Sequence, residues 1–512
     1  MADFDLGDLI SWLRATAPSA QLSLDSRRIM NGDVFLACPG ESGDGRDFIS
    51  AAIEAGARVV LFDDAGGFAW NPAWTVAHRA VPGLSARAGR IAHEWYGRPD
   101  DGLFSVAVTG TNGKTSCTQW LGQVLSRREL PTAVVGTLGI GLFRRGSSGP
   151  FAATGFTTPD AVQLHRKLAE QRAQGALALA IEASSIGLVQ GRMDELHVDC
   201  AVLTNFTRDH LDFHGTMEAY ELAKARLFDW PGLKHAVINL DDPVGERMTA
   251  RMRTTNPSVQ VIGYTTEGAQ AVAQFGEMSV LSATDIRIGQ LGTSFQLTSP
   301  FGSSSVRTQL IGRFNVSNAL AIAGVLCARG LAWDVIISLL ESLVAVPGRM
   351  QQLGGGDGPL AVIDYAHTPD ALRKAIDTLR AVAQARQGKL WCVFGCGGDR
   401  DPGKRPEMAR EANRADQMII TSDNPRSEEP EAIIAQVVDG VPDADRGKLQ
   451  VIQDRATAIL SAIRNAGKND VILVAGKGHE DYQEIKGRRL PFRDADHAAL
   501  ALATRATRFG GH

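Results

Sequence analysis

Residues 104–116, FSVAVTGTNGKTS, run from an apolar strand through two glycines into a lysine and a threonine. Gly110, Thr111, Asn112, Gly113, Lys114, Thr115 and Ser116 in that order suit a phosphate. Glycine lets backbone N–H groups close around phosphate oxygens, and a following helix adds the partial positive charge of its N-terminus. Lys114 is expected to reach the β and γ phosphates, and the Thr115 hydroxyl to ligate Mg²⁺. The usual pattern has a further glycine five residues before Gly113; this chain has Val108. Strand, loop, Lys-Thr and helix in the right order still favour a phosphate site over a chance turn.

Two other apolar runs end in groups that could hold a metal beside those phosphates. LALAIEASSIGL (177–188) carries Glu182, and LTNFTRDHLDFHG (203–215) carries Asp209, His210, Asp212 and His214. Carboxylate and imidazole at neighbouring strand ends suit a divalent cation. Glu182 and His210, which end apolar strands close to the loop, are the preferred pair. Asp212 and His214 read at least as well as caps or surface groups. Lys224, in TMEAYELAKARLFDW, reads on its own as a solvated charge on a helix capped by Thr216.

A third candidate is TSDNPRSEEP (421–430), which follows the apolar triplet Met418, Ile419, Ile420. Asp423, Asn424, Pro425 and Arg426 put an anion, an amide, a rigid turn and a planar cation at a strand's end. Open α/β sheets bind ligands in the crevice there. A free amino acid needs both charges: Asp423 could hold its ammonium and Arg426 its carboxylate. As an isolated string, the four residues read more simply as a surface turn with an Asp–Arg ion pair.

The elements that must position these groups alternate. FSVAVTG, LALAIEA, CAVLTNF and HAVINL, then LAVIDYAH, LWCVFGC, QMIITSD and DVILVAGKG, read as strands separated by helical stretches. That alternation implies parallel sheets covered on both faces, an α/β chain throughout. A length of 512 residues calls for two to four domains. YGRPDDGL (96–103) and the glycine-rich AVPGRMQQLGGGDGPL (345–360) look like joints, giving domains 1–100, 101–346 and 347–512. A net charge of −4 gives no electrostatic case for nucleic acid or an anionic membrane. Six scattered cysteines without a CxxC pair indicate neither a disulfide framework nor a zinc site. The acidic start ADFDLGDLI is unlike a signal peptide, and ALAIAGVLCA from Ala319 is too short to span a bilayer. A soluble, cytoplasmic protein is expected.

TGTNGKT, EASSIGL, NFTRDHLDFHG, AKARLF, GRFNVSNALAIAG, PGRM, DYAHTPDAL and GGDRDPGKRPEM occur in order. Together they resemble the Mur ligases, ATP-dependent enzymes that build the peptide stem of bacterial peptidoglycan. The resemblance covers the whole chain. It implies an N-terminal UDP-sugar-binding domain, a central P-loop-type ATPase domain of mostly parallel sheet, and a Rossmann-like C-terminal domain that binds an amino acid. It also implies a monomer acting on small molecules: ATP phosphorylates a D-glutamate carboxylate, and an amine attacks the acyl phosphate. By resemblance, Thr115 and Glu182 serve one Mg²⁺, while Glu182, His210 and a carbamylated Lys224 serve a second. Asn315, Asn318, Arg349 and Asp364 match positions that hold or orient the nucleotide. Leu24, Ser26, Glu41, Ser42 and Gly43, with Thr157, Thr158, Ser184, Gln190 and Arg192, match positions for a UDP-N-acetylmuramoyl dipeptide. Phe156 stands where relatives can carry Asn, and Ile186 where a His often follows the two serines.

DNPR resembles the signature of members that add meso-diaminopimelate, with Arg400, Gly476 and Glu480 matching the rest of that pocket. Lysine lacks the distal carboxylate and would leave Arg426 unpaired, which makes such a pocket selective. Two alternatives compete with this reading. Folylpolyglutamate synthase uses the same acyl phosphate chemistry, but the DNPR pocket argues against it. A catalytically silent nucleotide-binding scaffold would have been favoured by loss of Lys114, Glu182 or Lys224, and all three are present.

Overall fold

The computed structural model describes residues 4–40, 43–268, 278–289 and 292–509. Its contacts cluster into two units, 1–263 and 264–512.

The first unit opens with four parallel strands, Leu22–Ser23, Val34–Ala37, Val59–Phe62 and Ala77–Ala80, neighbours in chain order. Alternate residues face opposite sides. Val34, Leu36, Val59 and Leu61 pack on Leu13, Leu84 and Ile91, while Phe35, Ala37 and Val60 pack on Ile49 and Ala52.

A second sheet follows, with central strands in the order His235–Asn239, Cys200–Leu203, Phe104–Thr109, Ala178–Glu182, Thr132–Gly136. These five are parallel. Gly139–Arg144 and Ser147–Ser148 extend the sheet antiparallel beyond Thr132–Gly136. Phe104–Thr109 is therefore the middle strand of the five, flanked by the strands that end at Glu182 and at Leu203. From it the chain passes to Thr132–Gly136 and back to Ala178–Glu182 on one side, then crosses to Cys200–Leu203 and His235–Asn239 on the other, so the loop after Thr109 opens at the topological switch point.

The sequence marks residues 96–103 as a joint, and this segment is tied down rather than slack. Asp100 accepts hydrogen bonds from His93 Nε2 at 2.7 Å and from the His197 backbone N–H at 2.6 Å.

The second unit begins with an antiparallel meander, Ser279–Gly289, Gly292–Ser299 and Gly302–Thr308. Short connections allow only antiparallel neighbours here, so the sheets are mostly rather than wholly parallel, as expected. The buried helix Arg313–Ala328 contains the ALAIAGVLCA run; no helix among the described residues is long and apolar enough to cross a membrane.

The C-terminal sheet has the order Gln351–Gly354, Leu360–Asp364, Val471–Ala475, Leu390–Phe394, Gln417–Ile420, Leu449–Val451, parallel except for the first strand. Val362, Cys392, Phe394, Met418, Ile420 and Leu473 form a core on one face, and Ile363, Trp391, Val393, Ile419 and Val474 form one on the other. Strands buried on both faces read as unbroken apolar runs, the pattern seen in VILVA and LWCVF. A hairpin, Tyr482–Ile485 with Arg488–Pro491, stands apart from the sheet.

Candidate active site

In the first unit, the loop Gly110–Gly113 joins the middle strand to the helix Lys114–Arg127. Val108, which occupies the place of the missing glycine, is fully buried in the strand and lies opposite Glu182. The loop begins two residues later, so Val108 does not interrupt it. Gly110 has φ +140°, and a Cβ there would fall 1.9 Å from Thr204 Oγ1; no other residue fits.

The neighbouring segment 204–207 holds the loop. Asn205 accepts from the Thr111 N–H with its carbonyl and from the Asn112 N–H with Oδ1, both at 2.9 Å. Thr204 Oγ1 and Asn205 Nδ2 donate to the Asn112 carbonyl. Thr111 Oγ1 donates to the Thr207 carbonyl and meets the Tyr220 hydroxyl at 3.1 Å. These anchors were within the quoted TNFTRDH but were passed over for its charged end.

Lys114 Nζ donates to the carbonyls of Gly110 and Thr111, each at 2.9 Å, and Lys224 Nζ donates to that same Gly110 carbonyl at 3.0 Å. Lys224 is not a solvated helix charge: it is 1% exposed, on the helix Met217–Ala225 that Thr216 does cap. Burial drives its amine well below the usual lysine range, and the Lys114 charge adds to the effect. Among the described residues no carboxylate lies within ion-pair distance of its Nζ.

Glu182, 1% exposed, accepts from the Thr137 N–H at 2.9 Å and the Thr137 hydroxyl at 3.1 Å. Thr137, at the end of Thr132–Gly136, was not found from sequence; a hydroxyl just past an apolar strand is too common to stand out. His210 has φ +51° and a side chain 44% exposed. Burial first, then Lys114 and Lys224, push its imidazole below the usual range despite Asp209. Asp212 is exposed, and His214 Nε2 meets the Ser185 hydroxyl at 2.9 Å. Thr115 and Ser116 are buried in the first turn after the loop.

Beside Glu182, the Thr158 hydroxyl donates to its carbonyl at 2.7 Å and meets Ser184 Oγ at 2.8 Å. Thr157 Oγ1 meets Thr137 Oγ1, and Arg192 donates to the Thr158 carbonyl. The Arg192 guanidinium lies 4.6 Å from the ring of Phe156. An aromatic at position 156 thus stacks on a cation where an amide would have offered hydrogen bonds. Gln190 ends the short helix Ser185–Val189 that contains Ile186. Leu24 and Gly43 lie in bends beside the N-terminal sheet, Ser26 begins the short 3-10 helix Ser26–Arg28, and Glu41 and Ser42 fall outside the described residues.

In the second unit, Asn315 and Asn318 are buried on Arg313–Ala328. Arg349 lies over the Tyr365 ring at 4.3 Å. Asp364 accepts from the Met350 N–H at 2.8 Å, and burial raises its carboxyl despite Arg349.

The DNPR turn is neither simply exposed nor internally paired. Asp423 and Asn424 are 8% and 2% exposed, and no Asp423–Arg426 ion pair occurs among the described residues. Arg426, at φ +51°, donates Nη1 to the Gly398 carbonyl at 2.7 Å. Asn424 Oδ1 accepts from Lys477 Nζ at 3.0 Å, and its amide donates to Glu480 at 2.8 Å. Lys477, fully buried, also reaches Glu480 at 2.9 Å. Pro425 is buried, Gly476 follows Val471–Ala475, and Arg400 is exposed on the loop after Leu390–Phe394. The carboxyl ends of three neighbouring strands thus bring Arg400, Asp423, Asn424, Arg426, Gly476 and Glu480 to one edge of one sheet. Lys477, between Gly476 and Glu480, was not singled out from the sequence. The buried Arg405, which holds Glu428 at 2.7 Å behind this edge, was missed as well.

Comparison with known proteins agrees over the full length. Residues 20–96 match the model of the Mur ligase family, catalytic domain; residues 108–326 match the Mur ligase middle domain; residues 348–478 match the Mur ligase, glutamate ligase domain. The chain is 58% identical to the UDP-N-acetylmuramoyl-L-alanyl-D-glutamate--2,6-diaminopimelate ligase of Janthinobacterium sp. (strain Marseille), over 98% of this chain and 97% of that relative. It is 46% identical to the ligase of the same name from Pseudomonas aeruginosa, over 94% and 95%. A solved structure of a ligase of this name is 36% identical, with TM-score 0.65 and 95% of each chain covered. A folylpolyglutamate synthase from Mycobacterium tuberculosis shares the fold at 17% identity and TM-score 0.59, over 77% of this chain and 92% of that one. The chain belongs to the Mur ligase family.

Proposed function

We propose that this enzyme adds meso-2,6-diaminopimelate to the D-glutamate of UDP-N-acetylmuramoyl-L-alanyl-D-glutamate, consuming ATP, in peptidoglycan synthesis. The observation that carries the substrate choice is the convergence of Asp423, Asn424, Arg426 and Glu480 at one sheet edge. Diaminopimelate has two amino-acid centres, and an edge offering both anions and cations suits the one that does not react.

The chemistry asks little covalent work of the protein. The D-glutamate carboxylate attacks the γ phosphorus, giving an acyl phosphate and ADP. The diaminopimelate amine then attacks the acyl carbon, loses a proton, and expels phosphate. Charge grows on phosphate oxygens in the first step, so fixed cations and N–H groups supply most of the help. Lys114 and the Gly110–Ser116 backbone are proposed for the phosphates. Asn315, Asn318, Arg349 and Asp364 are proposed to orient the nucleotide.

Lys224 tests whether the residues fit a divalent metal. A buried amine whose charged form is disfavoured by desolvation, with no ion-pair partner among the described residues, suits reaction with CO₂. Nζ bonds to the carbon, releases one proton, and becomes a carbamate anion. With Thr115, Glu182 and neutral His210, this gives oxygen and nitrogen donors that suit Mg²⁺. When bound, Mg²⁺ would neutralise the transferring phosphate. For the dipeptide end we assign Leu24, Ser26, Glu41 to Gly43, Thr157, Thr158, Ser184, Gln190 and Arg192.

Domains of 1–100, 101–346 and 347–512 are proposed to divide these tasks, in a monomer working in the cytoplasm. The test is ATP-dependent phosphate release across an amino-acid panel with UDP-sugar dipeptide supplied. Release specific to meso-diaminopimelate supports the assignment; equal release with lysine, or release only with folate and glutamate, would overturn it.

A further inference from the structure

Behind the DNPR turn lies an ion pair that the reaction as outlined does not use. Arg455 begins the helix Arg455–Asn465, and Asp494 begins the helix Asp494–Phe509. Both side chains are 0% exposed, and the guanidinium grips the carboxylate through two 2.7 Å hydrogen bonds, from Nε and from Nη2. Burying an ion pair costs desolvation energy that is offset only by good geometry and further hydrogen bonds. Those bonds have a direction here. Nη2 also donates to the Ala475 carbonyl at 2.8 Å, and Nη1 to the Ser422 carbonyl at 3.5 Å. Ala475 and Ser422 are the residues immediately before Gly476 and Asp423. Arg455 therefore ties together two of the three strand ends that carry the pocket.

Nη1 also lies 3.9 Å from Asp423 Oδ2. That oxygen also lies close to Gly476, whose φ is +113° and where a Cβ would sit 2.6 Å away. The Gln483 side-chain amide donates to the Asp423 carbonyl at 2.6 Å. Arg455 thus attracts the carboxylate at Oδ2 and the bare backbone of Gly476 makes room for it there, which points Oδ1 toward a ligand.

We propose that Arg455 and Asp494 are positioning residues for Asp423, fixing the carboxylate that receives the diaminopimelate ammonium. Asp494 balances the charge that lets Arg455 remain buried, and Arg455 fixes where Asp423 points. This rests on the assignment of Asp423 to the diaminopimelate pocket.

The test is a cycle between Asp423→Asn and the double variant Arg455→Met/Asp494→Leu, which removes both buried charges together and keeps the volume apolar. The double variant is expected to fold and to raise the diaminopimelate KM roughly tenfold, within the range for residues in one charge network. The KM values for ATP and UDP-sugar dipeptide should hold. In an Asp423→Asn background the same pair of changes should add nothing to the diaminopimelate KM. Arg455→Lys, which keeps the core charge but not the fork, is the second variant and should move that KM the same way by a smaller factor. An unchanged diaminopimelate KM in either folded variant overturns the proposal, as does full additivity with Asp423→Asn. If Asp423→Asn alone leaves the diaminopimelate KM unchanged, the pocket assignment itself has failed.

Discussion

Replacing Arg426 with alanine tests the substrate choice most directly. Its side chain is 22% exposed, so it keeps part of its hydration and the electrostatic loss belongs at the lower end of the range for a broken buried pair. That range is about 2–5 kcal/mol; about 2 kcal/mol at about 1.4 kcal/mol per decade is a rise of roughly thirtyfold in the diaminopimelate KM. Arg426 also donates to the Gly398 carbonyl at 2.7 Å, so the variant loses a loop contact as well. That loss is worth about 1.5 kcal/mol for a charged donor, less where water can replace it. The backbone at φ +51° is equally strained with arginine or alanine, so strain cancels in the comparison. The assay is phosphate release with diaminopimelate or lysine varied while ATP and dipeptide are saturating. Lysine has no distal carboxylate to lose, so its KM should move far less and the preference between the two should shrink. If the ATP, dipeptide and diaminopimelate KM values all rise together, Arg426 holds the loop and does not read the substrate. If none moves, the turn has no part in recognition.

Lys114→Ala is expected to lower kcat about 10²–10³-fold, the cost of one preorganised donor; single-turnover ADP formation measures it, and near-normal turnover would remove Lys114 from phosphoryl transfer. Lys224→Ala should nearly abolish turnover, with partial recovery on adding short-chain carboxylic acids; full activity without them would rule out the carbamate. The His93–Asp100 pair should make stability depend on pH. Burial pushes the His93 imidazole down, but the Asp100 hydrogen bond and charge outweigh it and leave it raised. A raised histidine stabilises fully below its unfolded value, about 6.5, and loses that contribution as pH rises through the folded value. The Tm gap between wild type and His93→Gln should therefore be widest in mild acid and narrow toward alkaline pH; a gap constant with pH would refute the ion pair's role.

The sequence by itself determined the α/β class, the Gly110–Gly113 loop between strand and helix, and the DNPR turn at a strand's end, because each rests on local order. Apolar runs such as VILVA and LWCVF must be buried on both faces, and a glycine-lysine-threonine string after a strand marks its own loop-to-helix turn. It could not determine what lay behind those strings. Lys224 reads as a solvated charge until the fold buries it against the Gly110 carbonyl, 114 residues away. Asp423 and Arg426 read as each other's partners until the sheet gives them Arg455 and the Gly398 carbonyl instead. Thr137, Lys477 and the Arg455–Asp494 pair carry no signal in their neighbours along the chain. Their partners come from other strand ends, and only the strand order of each sheet decides which charges are buried together. Low dielectric then makes those pairings matter, since a buried charge must find a partner or change its protonation state.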